Sequence, residues 1–194
     1  MVTGLDEFHL HLAQISRVAR WVLPTAAFTP VVTSLVGLNP PWPNAVGLTA
    51  ATCAAVLFTV VAVFQFSDGR RAARVNRLMA IMLALGVTFA AVYFCLFAFF
   101  VFKPANGAAF SKGYVCTAEA LQVFGARCPW LDIDELKSVA YEESRLWTIQ
   151  SIVSVKIGLL FSWFGMFMAL SAYLGSFTRH QAQRKKRTVS RATG

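Results

Sequence analysis

Charged residues are scarce in this 194-residue sequence. Asp, Glu, Lys and Arg together make up 14% of the chain, whereas 57% of its residues are hydrophobic. Soluble domains carry roughly 25% charged residues. The sequence also lacks a glycine-rich phosphate-binding motif and any Cys or His spacing typical of a zinc site. The low share of charged residues excludes an ordinary water-soluble domain and indicates that lipid is the main solvent of this chain.

Acidic residues are missing from all of the long apolar runs, and the whole chain has three histidines. A proton relay or a cation-coupled transport path usually depends on ionisable groups inside the membrane, so the absence of acidic residues from the runs argues against both. His9 and His11 are two residues apart, so they point to different sides of a helix and form a poor metal pair. We therefore expect no enzyme activity, no cofactor and no metal site.

Four apolar runs are present, each close to the ~20 residues that a helix needs to cross a bilayer. They cover residues 18–38, 45–66, 78–102 and 151–177. Because open strands leave backbone groups unpaired in lipid, the predicted fold is an all-α integral membrane protein with four transmembrane helices. Apolar residues recur at helical spacing within residues 1–20, which predicts an amphipathic helix lying along the membrane surface.

Basic residues are divided unequally between the two sides of this predicted topology. Residues 1–20, the segment between the second and third runs, and the segment after the fourth run together contain twelve Lys and Arg against three acidic residues. The loop 103–147 contains five against six. The positive-inside rule then predicts that both termini are cytoplasmic and that residues 178–194 form a basic cytoplasmic tail. The composition, rich in Ala, Val and Arg, favours a bacterial inner membrane.

Cys116 and Cys128 lie twelve positions apart in the loop 103–147, which this topology places outside the cytoplasm. Disulfides persist in such oxidising compartments, so we expect the two cysteines to pair, adding roughly 3 kcal/mol of stability. Two unrelated thiols are the alternative. No Gly or Pro occurs between Leu131 and Ile157. This predicts that the fourth helix begins outside the membrane, near residues 131–134.

Lys156 is the one charged residue well inside an apolar run. It lies in the fourth run, residues 151–177, which precedes the predicted tail. A lysine in a span usually faces protein, a cavity or the interface. Three interpretations remain open: its side chain extends to the headgroups, it pairs with a loop carboxylate such as Glu142 or Glu143, or several copies line an anion-selective pore.

Arginines in the second cytoplasmic segment follow helical spacing at Arg70, Arg74 and Arg77. A basic cytoplasmic surface is therefore predicted from eight residues: Arg70, Arg71, Arg74, Arg77, Arg184, Lys185, Lys186 and Arg187. These residues either anchor the orientation and contact anionic lipid, or bind an anionic ligand such as a nucleotide or an oligonucleotide.

The predicted plan, four spans with cytoplasmic termini and a disulfide-capable outer loop, resembles the general tetraspan arrangement. The Cys-Cys-Gly motif of tetraspanins and the Trp and Cys signature of claudins are absent, so no family follows. Two functions remain. One is a homo-oligomeric channel or membrane-perturbing effector, by analogy with small bacterial membrane effectors. The other is a non-catalytic accessory or assembly subunit of a larger membrane complex.

Overall fold

The computed structural model describes residues 28–66, 72–103, 109–138 and 142–192. The first element is a helical stretch over residues 28–35, called α1. The predicted amphipathic helix at residues 1–20 and the first part of the first predicted span, residues 18–27, lie outside the described residues. Arg70 and Arg71 do so as well.

Three long helices carry most of the apolar sequence. They are α2 (Ala45–Phe66), α3 (Ala72–Phe100) and α7 (Ile149–Ala192). Each contains a segment long and apolar enough to cross a membrane, at Ala45–Val63, Val75–Phe100 and Ile149–Thr178. These helices contain no proline, so every backbone N–H can bond within the helix. The chain is therefore a membrane protein with three candidate spans among the described residues.

α2 begins at a side-chain cap in the proline-rich turn that precedes it. The Asn44 side-chain oxygen accepts from the Val46 N–H at 2.9 Å, and the Asn44 carbonyl accepts from the Leu48 N–H. Asparagine is among the best residues at this position because it satisfies an otherwise unpaired helix N–H. Gly37, at a φ of 72°, supplies the left-handed turn that follows α1.

A small folded unit connects α3 to α7, and we call residues 101–148 the cap. Strands β1 (Val101–Phe102) and β2 (Phe110–Ser111) pair antiparallel, with Phe102 opposite Phe110. Three short helices follow: α4 (Ala118–Phe124), α5 (Ile133–Ser138) and α6 (Glu143–Leu146). A 3₁₀ turn, Gly125–Arg127, follows α4 directly.

The fourth predicted helix does not run unbroken from residues 131–134 into the membrane, and this expectation is wrong. Trp147 has extended backbone angles and forms a β-bridge with Cys116. The Thr117 N–H donates to the Leu146 carbonyl, and the Thr148 N–H donates to the Val115 carbonyl. These bonds on both sides of Trp147 replace helical ones, so the long helix starts at Ile149. The absence of Gly and Pro permits a helix, but tertiary pairing decides against it.

The described chain divides into two compact units. The first takes in the described parts of Met1–Leu38, Thr49–Val87 and Gly165–Gly194. Inside it, two glycines allow close helix contact: a Cβ on Gly86 would lie 3.2 Å from Leu170, and one on Gly175 would lie 3.4 Å from Val63. Small residues at such contacts are typical of helix packing in membranes.

The second unit takes in Asn39–Leu48 and Thr88–Phe164, and therefore the whole cap. Aromatic rings hold α3 against α7 here. The centroid of Tyr93 lies 5.3 Å from that of Trp163, and the rings of Phe89 and Phe161 meet edge to face at 5.7 Å. Such pairs contribute about 0.5–1.5 kcal/mol each beyond the area they bury.

Gly113 provides a direct test of the packing between the cap and the start of α7. A Cβ at this position would lie 2.6 Å from the Cβ of Trp147. We expect Gly113→Ala to lower the free energy of unfolding by about 1–3 kcal/mol, because the clash is with a buried side chain close to its backbone. Thermal unfolding in detergent measures the loss.

Gly47→Ala is the matched control, since no atom lies within 4 Å of a Cβ built there and alanine favours a helix. Equal melting temperatures for the two variants would contradict the described packing of Gly113.

Candidate functional site

The cap has a hydrophobic core of its own. Its three short helices, α4, α5 and α6, each contribute a buried residue to this core. Trp147 belongs to this core and is 0% exposed. The buried residues of this core are Phe102, Ala120, Leu131, Leu136, Leu146, Trp147 and Ile152. Each large side chain buried this way contributes about 1.5–3 kcal/mol. Ile152 belongs to α7, so the core fastens the cap to that helix.

Cys116 and Cys128 form a disulfide pair, with Cα atoms 6.3 Å apart, as the sequence predicts. Cys116 lies at the β-bridge to Trp147, and Cys128 follows the 3₁₀ turn after α4. The pair therefore closes α4 into a loop whose two ends pack against the cap core. Thr117, next to Cys116, caps α4 by accepting from the Ala120 N–H at 3.2 Å.

Lys156 and Glu143 form an ion pair between α7 and the cap. The Lys156 Nζ lies 2.9 Å from Glu143 Oε2, and both side chains are largely shielded, at 24% and 18% exposure. The other oxygen, Glu143 Oε1, accepts from the Ser111 N–H at 2.9 Å. One carboxylate thus joins α6, β2 and the charged position on α7. Of the three interpretations of Lys156, the structure shows pairing with a loop carboxylate.

Lys112 is a partly buried cation that belongs to the cap itself. Its Nζ donates to the Leu131 carbonyl at 2.8 Å and lies 5.8 Å from the Phe102 ring centroid. Burial lowers the pKa of Lys112, while the negative charges of Asp132 and Glu135 act in the opposite direction. The Lys112 backbone N–H also donates to the Phe100 carbonyl, so this residue links the cap to the end of α3.

Glu135 organises the start of α5. Its carboxylate accepts from the Asp132 N–H at 2.9 Å and from Arg127 at 3.0 Å. The bond from Asp132 is the larger cause, and together they lower the pKa of Glu135. Ionised Glu135 therefore stabilises the fold at pH values above the pKa that Glu135 has in the unfolded chain. This stabilisation is lost as the pH falls through the lower pKa of Glu135 in the folded protein.

Two polar atoms of the cap are buried without a hydrogen-bond partner among the described residues, namely Ser111 Oγ and Trp147 Nε1. Both belong to residues whose backbones are engaged in the contacts above. Sequence reasoning did not single out Ser111, Gly113 or Glu135, because each acts through a contact distant in sequence.

The predicted basic surface is described only in part. Arg77 is exposed on the second turn of α3, and Arg74 lies one turn before it on the same helix. The four basic residues 184–187 belong to α7, which continues as a helix for about 20 Å beyond the candidate span. Within the described parts of the chain, no three His, Cys, Asp or Glu side chains group as metal ligands.

No protein family model, curated protein or solved structure matches this chain. The function must therefore be argued from the contacts, charges and exposed surfaces of the molecule itself.

A double-mutant cycle measures the contribution of the Lys156–Glu143 pair. We expect Glu143→Gln to destabilise the protein, because it leaves the lysine charge shielded from water without its counter-ion. Lys156→Met together with Glu143→Gln should cost less than the two single changes combined. The coupling free energy should be about 1–3 kcal/mol by thermal unfolding in detergent.

Glu142→Gln is the control, because Glu142 is half exposed and pairs only with the exposed Arg145 among the ion pairs described. Exposed pairs contribute about 0–1 kcal/mol. A cycle with no coupling, or equal losses for Glu142→Gln and Glu143→Gln, would refute a structural role for the pair.

Proposed function

We propose that this chain is a homo-oligomeric membrane channel or membrane-perturbing effector, with a small-residue face of α3 at its symmetry axis. The observation that carries the proposal is the surface of α3. Only 11% of the candidate span in this helix is buried within the chain, the lowest value of the three candidate spans. This helix therefore has the most surface to offer to lipid or to other copies.

Small exposed residues form a continuous stripe along this surface. They are Ala80, Ala84, Thr88, Ala91, Cys95 and Ala98, and we call them the α3 stripe. At 100° per residue, all six fall within an arc of about 80°. Membrane helices approach one another closely through such small residues, because lipid gives no hydrophobic drive to association and contact distance decides the packing energy.

Larger exposed residues flank the α3 stripe on both sides. Val87 and Phe94 lie along one edge, and Ile81, Val92 and Phe99 lie along the other. The stripe is thus a shallow groove between two ridges, which suits a helix better than a lipid chain. Copies inserted by the same signals share one orientation, so their α3 helices would be parallel and the same residues would lie at the same depth.

A channel is one consequence of such an axis. One chain with few spans is too small to enclose a wide path, whereas several α3 helices around an axis would line it with alanine, threonine and cysteine. Because Glu143 neutralises Lys156, we do not include a ring of free lysines in this proposal. The basic residues of α3 and of the α7 extension would repeat around the axis and attract anions on the side that we assign to the cytoplasm.

The second candidate is an accessory subunit of a larger membrane complex. The observation that favours it is exposed apolar surface on α4, outside the candidate spans, where Leu121 and Val123 are 51% and 74% exposed. A different chain would cover this surface, and it would copurify with the protein in mild detergent.

Cys95 is a natural reporter of the α3 axis, because it is a free, exposed cysteine within the stripe. In membranes containing the Cys53→Ser protein, we expect copper phenanthroline to produce a covalent dimer that reducing agent reverses. Non-reducing electrophoresis shows the product, and native mass spectrometry gives the number of copies.

The matched control moves the cysteine by one position, in the Cys53→Ser, Phe94→Cys, Cys95→Ser protein. The depth is nearly the same, but the thiol points about 100° away. Equal dimer yields in the two proteins, or none from Cys95, would reject the α3 axis; a copurifying larger chain would support the accessory subunit.

Conductance tests the basic surface. We expect the purified protein to conduct in planar bilayers, and Arg74→Gln with Arg77→Gln to reduce anion selectivity or the response to added oligonucleotide. The effect should weaken as salt rises, because salt screens exposed charges.

Arg127→Gln with Arg145→Gln is the control, since it removes the same charge from exposed positions in the cap. No conductance from a homogeneous oligomer would overturn the channel. Identical behaviour of both double variants would leave Arg74 and Arg77 as orientation signals only.

A further inference from the structure

Trp130 is an exposed aromatic residue of the cap that lies against the end of a candidate span. It is 57% exposed, and its ring centroid lies 6.0 Å from that of Phe99 and 5.7 Å from that of Phe100. These phenylalanines are the last two residues of α3. Trp130 therefore lies at the depth where α3 leaves the apolar region.

A second exposed part of the cap meets the start of the other span. The Val115 carbonyl accepts from the Thr148 N–H at 2.9 Å, just before α7, and from the Ser151 hydroxyl at 3.3 Å, in the first turn of α7. The side chains of Tyr114 and Val115 are nevertheless 50% and 45% exposed. They lie beside the residue at which α7 begins.

Lys103 adds a positive charge at the same depth. It is exposed, and its Nζ lies 5.6 Å from the Phe97 ring centroid, so the side chain turns back along the last turn of α3. Lysines near the ends of spans bury their methylene groups in this way while the ammonium group stays at the headgroups.

These four residues, Lys103, Tyr114, Val115 and Trp130, form what we call the interfacial patch. Tryptophan and tyrosine favour the headgroup region, because their rings are apolar and their N–H and O–H groups can meet water. The contacts with Phe99, Phe100 and Thr148 place the patch at the ends of two spans that the cap connects. Because the patch adjoins the ends of two membrane spans, lipid is favoured over another protein as the surface that covers it.

We propose that the cap docks onto the membrane leaflet from which α3 emerges, with Trp130, Tyr114 and Val115 among the lipid headgroups and Lys103 near their phosphates. The cap is then an interfacial domain rather than a loop projecting into water. This inference does not depend on oligomerisation or conductance, so it stands or falls separately from the proposed function.

Fluorescence quenchers carried by lipid or dissolved in water show whether Trp130 lies among the lipid headgroups or faces water. The wild-type protein and Trp130→Phe are reconstituted into phosphatidylcholine nanodiscs, with and without lipid brominated near the headgroup. The emission lost in Trp130→Phe is the Trp130 component. We expect brominated lipid to quench this component and iodide in the buffer to leave it largely unaffected. Quenching by iodide alone would show that Trp130 faces water, and quenching by neither would show a protein cover; both results overturn the proposal.

A measurement at a second position, Tyr114, tests the proposal even if Trp130→Phe fails to fold. In the Cys53→Ser, Cys95→Ser protein, a nitroxide on Tyr114→Cys is attached without reducing the disulfide. We expect it to collide more often with oxygen, which concentrates in lipid, than with a water-soluble nickel chelate. A nitroxide on Glu119→Cys, an exposed acidic position on α4, is the control and should favour the chelate. The same preference at both positions would overturn the docking of this patch.

Discussion

A positive charge inside an apolar helix needs a partner, and much of the cap follows from that requirement. Lys156 is two turns into α7, and its nearest described counter-ion, Glu143, lies before the helix begins. For the carboxylate to reach back to the lysine, the chain cannot continue as one straight helix from α6. The extended residue Trp147 provides the break, and the same carboxylate then holds Ser111 of β2. The Glu143 carboxylate thus joins two elements of the cap, α6 and β2, to α7.

Apolar burial makes this arrangement stable. Trp147 is fully buried in the cap core, and its contact with Gly113 leaves room for nothing larger than hydrogen at that position. The disulfide between Cys116 and Cys128 closes α4 onto the same core, so the covalent link and the buried side chains restrain one set of residues. A cap secured in this way can present side chains at a fixed depth to the membrane.

The candidate spans differ from the cap and from one another in how much of their surface is buried. α7 contributes the larger share of buried residues, whereas α3 leaves most of its span uncovered and lines part of that surface with small side chains. Hence α7 serves the internal packing of the chain, and α3 has surface available for other helices. The proposed oligomer uses the α3 stripe, and the proposed docking of the cap uses the interfacial patch, which adjoins one edge of the stripe at Phe99. Both proposals rest on exposure in the single chain.

The sequence by itself determined that lipid is the main solvent, that the fold is helical and where three candidate spans lie. It also determined which two cysteines form the cap disulfide. Hydrophobic run length and cysteine placement are local properties, so they can be read from the sequence. The sequence left three interpretations of the environment of Lys156 and did not choose among them. Only the tertiary structure decided the break at Trp147 and the choice of Glu143 over Glu142. Both depend on hydrogen bonds and contacts between residues far apart in the chain, such as Cys116 with Trp147 and Ser111 with Glu143, which no local pattern encodes.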